Sequence, residues 1–264
     1  MKQNNLIYPF KYPVRSVKYA FILIEVLARN KMEYTLAELI NETKLAKGTV
    51  YRLLGTLRSL GYVDQNQKKR TYYLTYDFTK IGMAIRERYN LSEIIPIMEK
   101  LAQKYNEMVN LAILDRDKVV YLKSIESPHA LKLDFKVGSS QPAYCTALGR
   151  VLLAYQDSSR LEMFFDMKSF KAYTRQTVTE KSKLMKVFNR VKEQGYSYVS
   201  EEYRPGVACV AVPIFNNQGS VAAALSFSVP TVRLTASIYP KMIQSLKKEV
   251  KKIKLPHFLH SNGC

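Results

Sequence analysis

Cations and hydroxyls line one side of a leucine-rich stretch between Lys47 and Val63, KGTVYRLLGTLRSLGYV. Val50, Leu53, Leu54, Leu57 and Leu60 recur at helical spacing, whereas Lys47, Thr49, Tyr51, Arg52 and Thr56 fall on other faces. A helix packed through its leucines presents that second set to solvent. Arg and Lys neutralise phosphates, and Arg, Thr and Tyr can hydrogen-bond base edges in a major groove about 12 Å wide. Downstream, YVDQNQKKRTYYLT reads as two short strands flanking a polar tip at Asn66 to Arg70. Lys47, Arg52, Arg58, Lys68, Lys69 and Arg70 are therefore the expected phosphate contacts, and Thr49, Tyr51 and Arg52 the expected base readers.

A second group of residues suits a small molecule. QPAYCTALGRVLLAY, Gln141 to Tyr155, passes from a proline-containing loop into a helix whose first turn holds Ala147 and Leu148. The unpaired N–H groups and partial positive charge of a helix N-terminus can hold a carboxylate without a cationic side chain. Ser226 and Ser228 share one face of a strand because side chains alternate, so both hydroxyls can address one ligand. Leu131 and Leu133, also two apart, are expected to supply an apolar wall.

The same stretch allows a rival chemistry. Cys145 precedes a helix, an environment that can activate a thiol, so a redox-sensing regulator or a cysteine-dependent enzyme is the alternative. A nucleophile also needs a positioned base, and the chain holds only His129, His257 and His260. His129 lies in a polar loop sequence. The tail HFLHSNGC spaces His257, His260 and Cys264 as three metal-ligand types, but no fourth ligand is evident and chain ends fray. No metal or cofactor is implied.

The elements that would carry these groups are legible along the chain. Ser16 is an available N-cap for a helix with Val17, Ala20, Phe21, Ile24 and Leu27 on its inward stripe. Thr35 and Glu38 form a capping-box pattern before Leu36, Leu39 and Ile40, and Gly61 ends the leucine-rich helix. Residues 77–90 read as a linker helix, with a bend near Asn90 to Ser92 and a new stripe of Ile94, Ile97, Met98 and Leu101. Beyond it, MVNLAIL and VVYLKSI alternate around a turn, and YSYVS, VACVAVPIF and VAAALSFSV add strands, with Asn216 to Gly219 as a hairpin turn. Helices fit about 145–155, 158–166, 180–194 and 233–254. Hairpin strands with flanking helices make this region α+β.

Composition narrows the partner. The 264 residues carry 41 Lys and Arg against 22 Asp and Glu, a formal net charge of +19. Residues 1–90 hold 16 basic and 7 acidic side chains, the remainder 25 and 15, so the charge density is higher in the first part. A polyanion is the expected partner, nucleic acid ahead of an anionic membrane surface. RNA also satisfies the charge, yet no RNP-like motif accompanies the tyrosines. No signal-peptide core or membrane-spanning run is present and three separated cysteines suit no disulfide framework, which predicts a cytoplasmic protein.

The segments SVKYAFILIEVLA, LAELINETKLAKGTVYRLLGTLRSLGYV, CTALGRVLLA and EEYRPGVACVAVPIF, in that order, resemble the IclR family of bacterial transcriptional regulators from about residue 14 to 254. The resemblance implies a winged helix-turn-helix over residues 1–76, a linker helix over 77–90 and a GAF-like effector-binding domain with an antiparallel sheet over 91–264. It implies that residues 36–55 are the helix-turn-helix and that KGTVYRLL opens the recognition helix. It also implies a ligand pocket at Ala147, Leu148, Val207, Cys209, Ser226 and Ser228. Family members often have Gly at the turn position of Lys44 and Ser at that of Gly48, and some have an acidic ligand contact where this chain has Val199. Lys44 would be strained at a positive φ. The expected protein is a transcriptional regulator, a repressor ahead of an activator, that binds a double-stranded operator. It is expected to act as a homodimer or tetramer and to answer to a small anionic effector of the organic-acid or sugar-acid class.

Overall fold

Leu23, Leu39, Val50 and Leu54 are fully buried and form the centre of the first of two units, Met1–Ile85 and Arg86–Cys264, into which the chain divides. A computed structural model describes residues 12–29, 31–88, 91–166 and 170–253. These four residues come from three successive helices: α1 (Arg15–Leu27), α2 (Leu36–Thr43) and α3 (Lys47–Ser59). The stripe of α1 differs from its expected phase. Leu23, Val26 and Leu27 face the core, while Val17 is 54% and Phe21 60% exposed. Ser16 does not cap it either; Val14 holds the N-cap position and makes no side-chain bond. The run FILIEVL is apolar on several faces, so periodicity alone leaves the phase open.

The start of α2 follows its sequence signature. The Thr35 hydroxyl accepts from Glu38 N–H, and the Glu38 carboxylate accepts from Thr35 N–H at 2.9 Å. Lys31 also bonds to Glu38, and with these donors it holds the carboxyl well below the usual range, at about 2. Lys44 follows α2 in the left-handed region, φ 58° and ψ 24°, and its N–H closes on Ile40 O at 2.9 Å. The turn thus keeps the geometry that favours glycine despite carrying lysine. In α3, Val50, Leu54 and Leu57 are buried, but Leu60 is exposed because it sits at the C-cap beyond the last full turn. Gly61 then reverses the chain at φ +82°, and Thr75 Oγ1 donates to its carbonyl. β2 (Val63–Asn66) and β3 (Thr71–Leu74) pair antiparallel as expected, and β1 (Tyr34–Thr35), too short to announce itself, adds to β3. α4 (Asp77–Arg88) follows. Ile81 and Met83 on this helix are about half exposed.

The second unit is layered. β4 (Met108–Asp115), β5 (Lys118–Ile125), β6 (Ser140–Pro142), β7 (Ser197–Ser200), β8 (Val207–Phe215) and β9 (Val221–Pro230) form, among the described residues, a six-stranded sheet in the order β6-β5-β4-β9-β8-β7. Every pairing is antiparallel. Alternation divides the strands between two cores. Val109, Leu111, Val210, Val212, Leu225 and Phe227 pack with α5 (Leu91–Tyr105) and α9 (Tyr239–Val250). Met108, Ala112, Ala211 and Ala224 face the other way, toward α6 (Ala147–Ala154), α7 (Ser158–Asp166) and α8 (Lys181–Gln194). With both faces covered, β8 and β9 read as near-continuous apolar runs rather than half-polar ones.

Two local expectations are corrected here. β6 occupies part of what reads as a loop, and α9 begins at Tyr239 rather than near 233, with Pro240 in its first turn where its missing N–H costs nothing. At the other hairpin Asn216 Oδ1 accepts from Gln218 and Ser220 N–H at 2.9 and 3.0 Å, and Gly219 takes φ +79°. Asn90 and the tail residues His257, His260 and Cys264 lie outside the described residues.

Holding Lys44 left-handed costs about 1–2 kcal/mol, and glycine's greater unfolded-state freedom costs about 0.5–1 kcal/mol. Lys44→Gly is therefore expected to stabilise its unit by roughly 0.5–1 kcal/mol, a higher denaturant midpoint at unchanged slope. A lower midpoint would contradict a strained turn.

Candidate nucleic-acid interface and small-molecule cavity

The buried stripe of α3 leaves its opposite side to solvent. Lys47, Tyr51 and Arg52 are exposed and Thr49 is half-buried, all in the first two turns. Ala46 caps the helix without a side-chain bond, so the first amides of α3 have no side-chain acceptor at that residue. A Cβ added at Gly48 would meet nothing within 4 Å, which leaves the helix end open to a phosphate's close approach. Gly48 and the exposed Lys44 complete this end of the helix; the site expected from sequence contained neither.

Arg58 is placed differently from the rest. It lies in the last turn of α3, where its guanidinium donates to Gln65 Oε1 at 3.2 Å and stands 3.7 Å from Asp64. These contacts tie the helix to β2. At the far end of the hairpin Asn66 Oδ1 accepts from the N–H groups of Lys68 and Lys69 at 3.1 and 3.2 Å. The turn closes with Arg70 at φ 54°, leaving Lys68, Lys69 and Arg70 exposed. Lys69 Nζ stands 3.7 Å from Glu33, whose carboxyl is held below its ordinary value mainly by the Thr71 hydroxyl. The unit therefore presents two basic projections, a helix end and a hairpin tip. Neutralising phosphates with both is a sequence-independent source of affinity, to which Tyr51 and Arg52 can add base contacts.

The second unit contains a partly open cavity on the α6 side of the sheet, with about 410 Å³ of empty space that includes its opening to solvent. Ala147, Leu148, Val207, Cys209, Ser226 and Ser228 all line it, from one helix start and two neighbouring strands. Leu131 and Leu133 do not. Leu131 is 64% exposed, and Leu133 packs against the edge of the core. Their segment is coil rather than strand, so two-residue spacing does not place them on one wall.

Gly149 sets the helix start against the loop that precedes it. A Cβ there would lie 2.1 Å from Ala143 O, a separation no side chain tolerates, so α6 approaches the preceding loop only because this position is glycine. Thr146 caps α6, its hydroxyl accepting from Gly149 N–H at 3.2 Å. The amides of Ala147 and Leu148, one and two residues into the helix, have no intrahelical acceptor. Opposite them, Ser226 is fully buried and its hydroxyl has no hydrogen-bond partner. Ser228 Oγ accepts from Asn110 Nδ2 at 3.0 Å and from Cys209 Sγ at 3.3 Å, so its own proton remains to be donated. Ser124 Oγ fixes that asparagine by donating to its Oδ1 at 2.8 Å. An unpartnered buried hydroxyl is costly, of order 1–3 kcal/mol, and a ligand acceptor would satisfy it.

Val199, at the position where some family members have an acidic ligand contact, lines the cavity as apolar wall. Several other lining residues carry no site signal in the sequence. Tyr121 and Phe135 stack at 5.2 Å. Glu202 forms a buried ion pair with Arg150 and also accepts from Val178 N–H at 3.1 Å. Gln141, Tyr203 and Arg204 complete the mouth. Tyr121 shares the Val119 face of β5 and was accessible to alternation; the others come from loops and a short strand that carry no periodic signal.

The thiol alternative is not supported. Cys145 also lines the cavity wall, but it is fully buried and burial pushes its thiol up to about 12; Cys209 is likewise raised to about 11. Near neutral pH both are protonated and neither is an activated nucleophile. His129 is exposed, and among the described residues no cluster of metal-ligand types occurs. Iodoacetamide at pH 7.5 should leave Cys145 and Cys209 unmodified in the native chain and label both in denaturant, read by peptide mass mapping. Native labelling of Cys145 would contradict this environment.

Residues 16–67 match the IclR helix-turn-helix domain, and residues 84–255 match the bacterial transcriptional regulator IclR C-terminal domain. The chain is 33% identical over 241 residues to the HTH-type transcriptional regulator KdgR of Escherichia coli (strain K12), covering 91% of each. It is 34% identical over 223 residues to KdgR of Dickeya chrysanthemi, covering 84% of this chain and 73% of that one. The crystal structure of an IclR transcriptional regulator from Alicyclobacillus acidocaldarius matches with a TM-score of 0.79 at 28% identity, covering 91% of this chain and 98% of that chain. The chain belongs to the IclR family of bacterial transcriptional regulators: it is a DNA-binding regulator of transcription and not an enzyme.

Proposed function

We propose that this regulator is a homodimeric repressor that releases or tightens on its operator when a small anionic metabolite occupies the cavity of the second unit. The observation that carries the effector assignment is the buried, unpartnered Ser226 hydroxyl facing a cavity that also holds the start of α6. A carboxylate fits that end because the amides of Ala147 and Leu148 supply donors and partial positive charge without a counter-ion to displace. Repression is supported by a relative in Escherichia coli, 28% identical over 258 residues, named the DNA-binding transcriptional repressor YiaJ. A neighbour of the same fold from Microbacterium hydrocarbonoxydans is described in complex with 4-hydroxybenzoate, itself a small carboxylate.

On the DNA side, Lys47, Thr49, Tyr51 and Arg52 enter the major groove in this reading, and Lys68, Lys69 and Arg70 reach the flanking backbone. Arg58 holds the hairpin against the helix. Dimerisation follows from the symmetry of such readers, whose half-sites lie one turn of about 34 Å, or a multiple of it, apart.

Coupling between effector and operator should fall in the usual range of about 5-fold to 150-fold. Arg52→Ala should weaken operator binding by about 5-fold to 150-fold while leaving effector affinity unchanged, measured by fluorescence anisotropy and calorimetry. Unchanged DNA affinity would remove Arg52 from the interface. Ser226→Phe fills the cavity and should abolish the effector response while basal DNA binding persists; a retained response would place the effector elsewhere.

A further inference from the structure

A second, more open basin adjoins the cavity: Phe135, Gln141, Tyr203 and Arg204 line both, and Lys136 and Asp134 add to the wall of the second, so the same four residues stand between the two spaces. We propose that this basin is a second anion subsite, and that the effector is a dicarboxylate: one carboxylate at the start of α6, the other held by Arg204 and Lys136. This rests on the effector reading of the inner cavity given above.

Charge on the two walls is the first argument. Glu202 is the acid of the inner wall, and its buried pairing with Arg150 neutralises it, so the inner end keeps the positive potential of the helix start. The outer wall holds two cations and the single acid Asp134. Among the described residues no carboxylate pairs with Arg204 or Lys136.

The second argument is that Arg204 is held without being neutralised. Its guanidinium lies 5.8 Å from the Phe135 ring centre and 5.6 Å from that of Tyr203, and Tyr203 is itself fixed edge-on to Tyr173 at 4.9 Å. Packing on ring faces orients the planar group and leaves its N–H edges as donors, the geometry in which arginine takes a carboxylate through two parallel bonds. At the waist between the two spaces, Gln141 Oε1 accepts from Tyr121 OH at 3.0 Å, which leaves the amide NH2 to donate. A molecule spanning the waist thus meets donors at both ends and in the middle, and apolar rings between.

The test is calorimetric titration of the full chain with linear dicarboxylates of four to seven carbons and with their monomethyl esters, which match them in shape but lack the second charge. At the best-fitting length the diacid should bind about tenfold tighter than its ester. Arg204→Gln and Lys136→Gln should each reduce that advantage, and Arg204→Lys should restore part of it. Equal affinity of diacid and ester, or an advantage that survives both glutamine variants, overturns the second subsite while the inner-cavity reading stands, provided Ser226→Phe abolishes ester binding. If neither series binds, both the subsite and the carboxylate reading of the inner cavity fall.

Discussion

Leu54 is buried and Arg52, two residues earlier, faces solvent; on a helix that step is about 200°, so the two side chains lie on opposite sides of α3. This division is the constraint on which the regulator depends. Val50, Leu54 and Leu57 bind the helix to α1, α2 and the small sheet, and no other rotation of α3 buries them. Once they are inside, the exposed set is fixed. The capping box at Thr35 and the left-handed Lys44 act earlier in the same chain of causes, since together they aim α2 and release the backbone into α3 at the required angle.

A comparable constraint organises the second unit. Strands whose two faces are both covered leave little polar surface, and the polar exceptions on β4, β8 and β9, namely Asn110, Cys209, Ser226 and Ser228, gather on the α6 side. Gly149 seats α6 close against Ala143, and Ala147 and Leu148 at its start line the same cavity as Cys209, Ser226 and Ser228. A helix end carrying partial positive charge and a strand pair carrying hydroxyls line one cavity, and the proposal of an anionic effector rests on that pairing.

Much of this was legible in the amino-acid sequence where a feature is local and periodic. The leucine spacing of α3, the Thr35 and Glu38 pair, the hairpin with its basic tip, and the alternation that puts Ser226 beside Ser228 each follow from a repeat of 3.6 or 2 residues. Errors arose where the pattern is degenerate or absent. Around α1 the apolar run allows two phases, and the core takes Leu23 and Val26 rather than Val17 and Phe21. Leu60 continues the spacing one step past the point where the helix ends. Leu131 and Leu133 lie in a coil, where strand alternation does not hold. The mouth residues Gln141, Tyr203 and Arg204 reach the cavity through tertiary placement, which no spacing along the chain encodes.

The most direct test of the account is binding of the full chain to duplex DNA: selection from random-sequence duplexes, then titration of the selected site across a salt series. With a helix end and a hairpin tip each neutralising phosphates, the account predicts an enriched two-fold symmetric sequence. It also predicts an affinity whose logarithm falls with the logarithm of salt at a slope of about −4 to −7, as expected for roughly five to eight contacts per dimer. No enrichment, or an affinity indifferent to salt, would contradict the claim that the exposed side of α3 reads DNA.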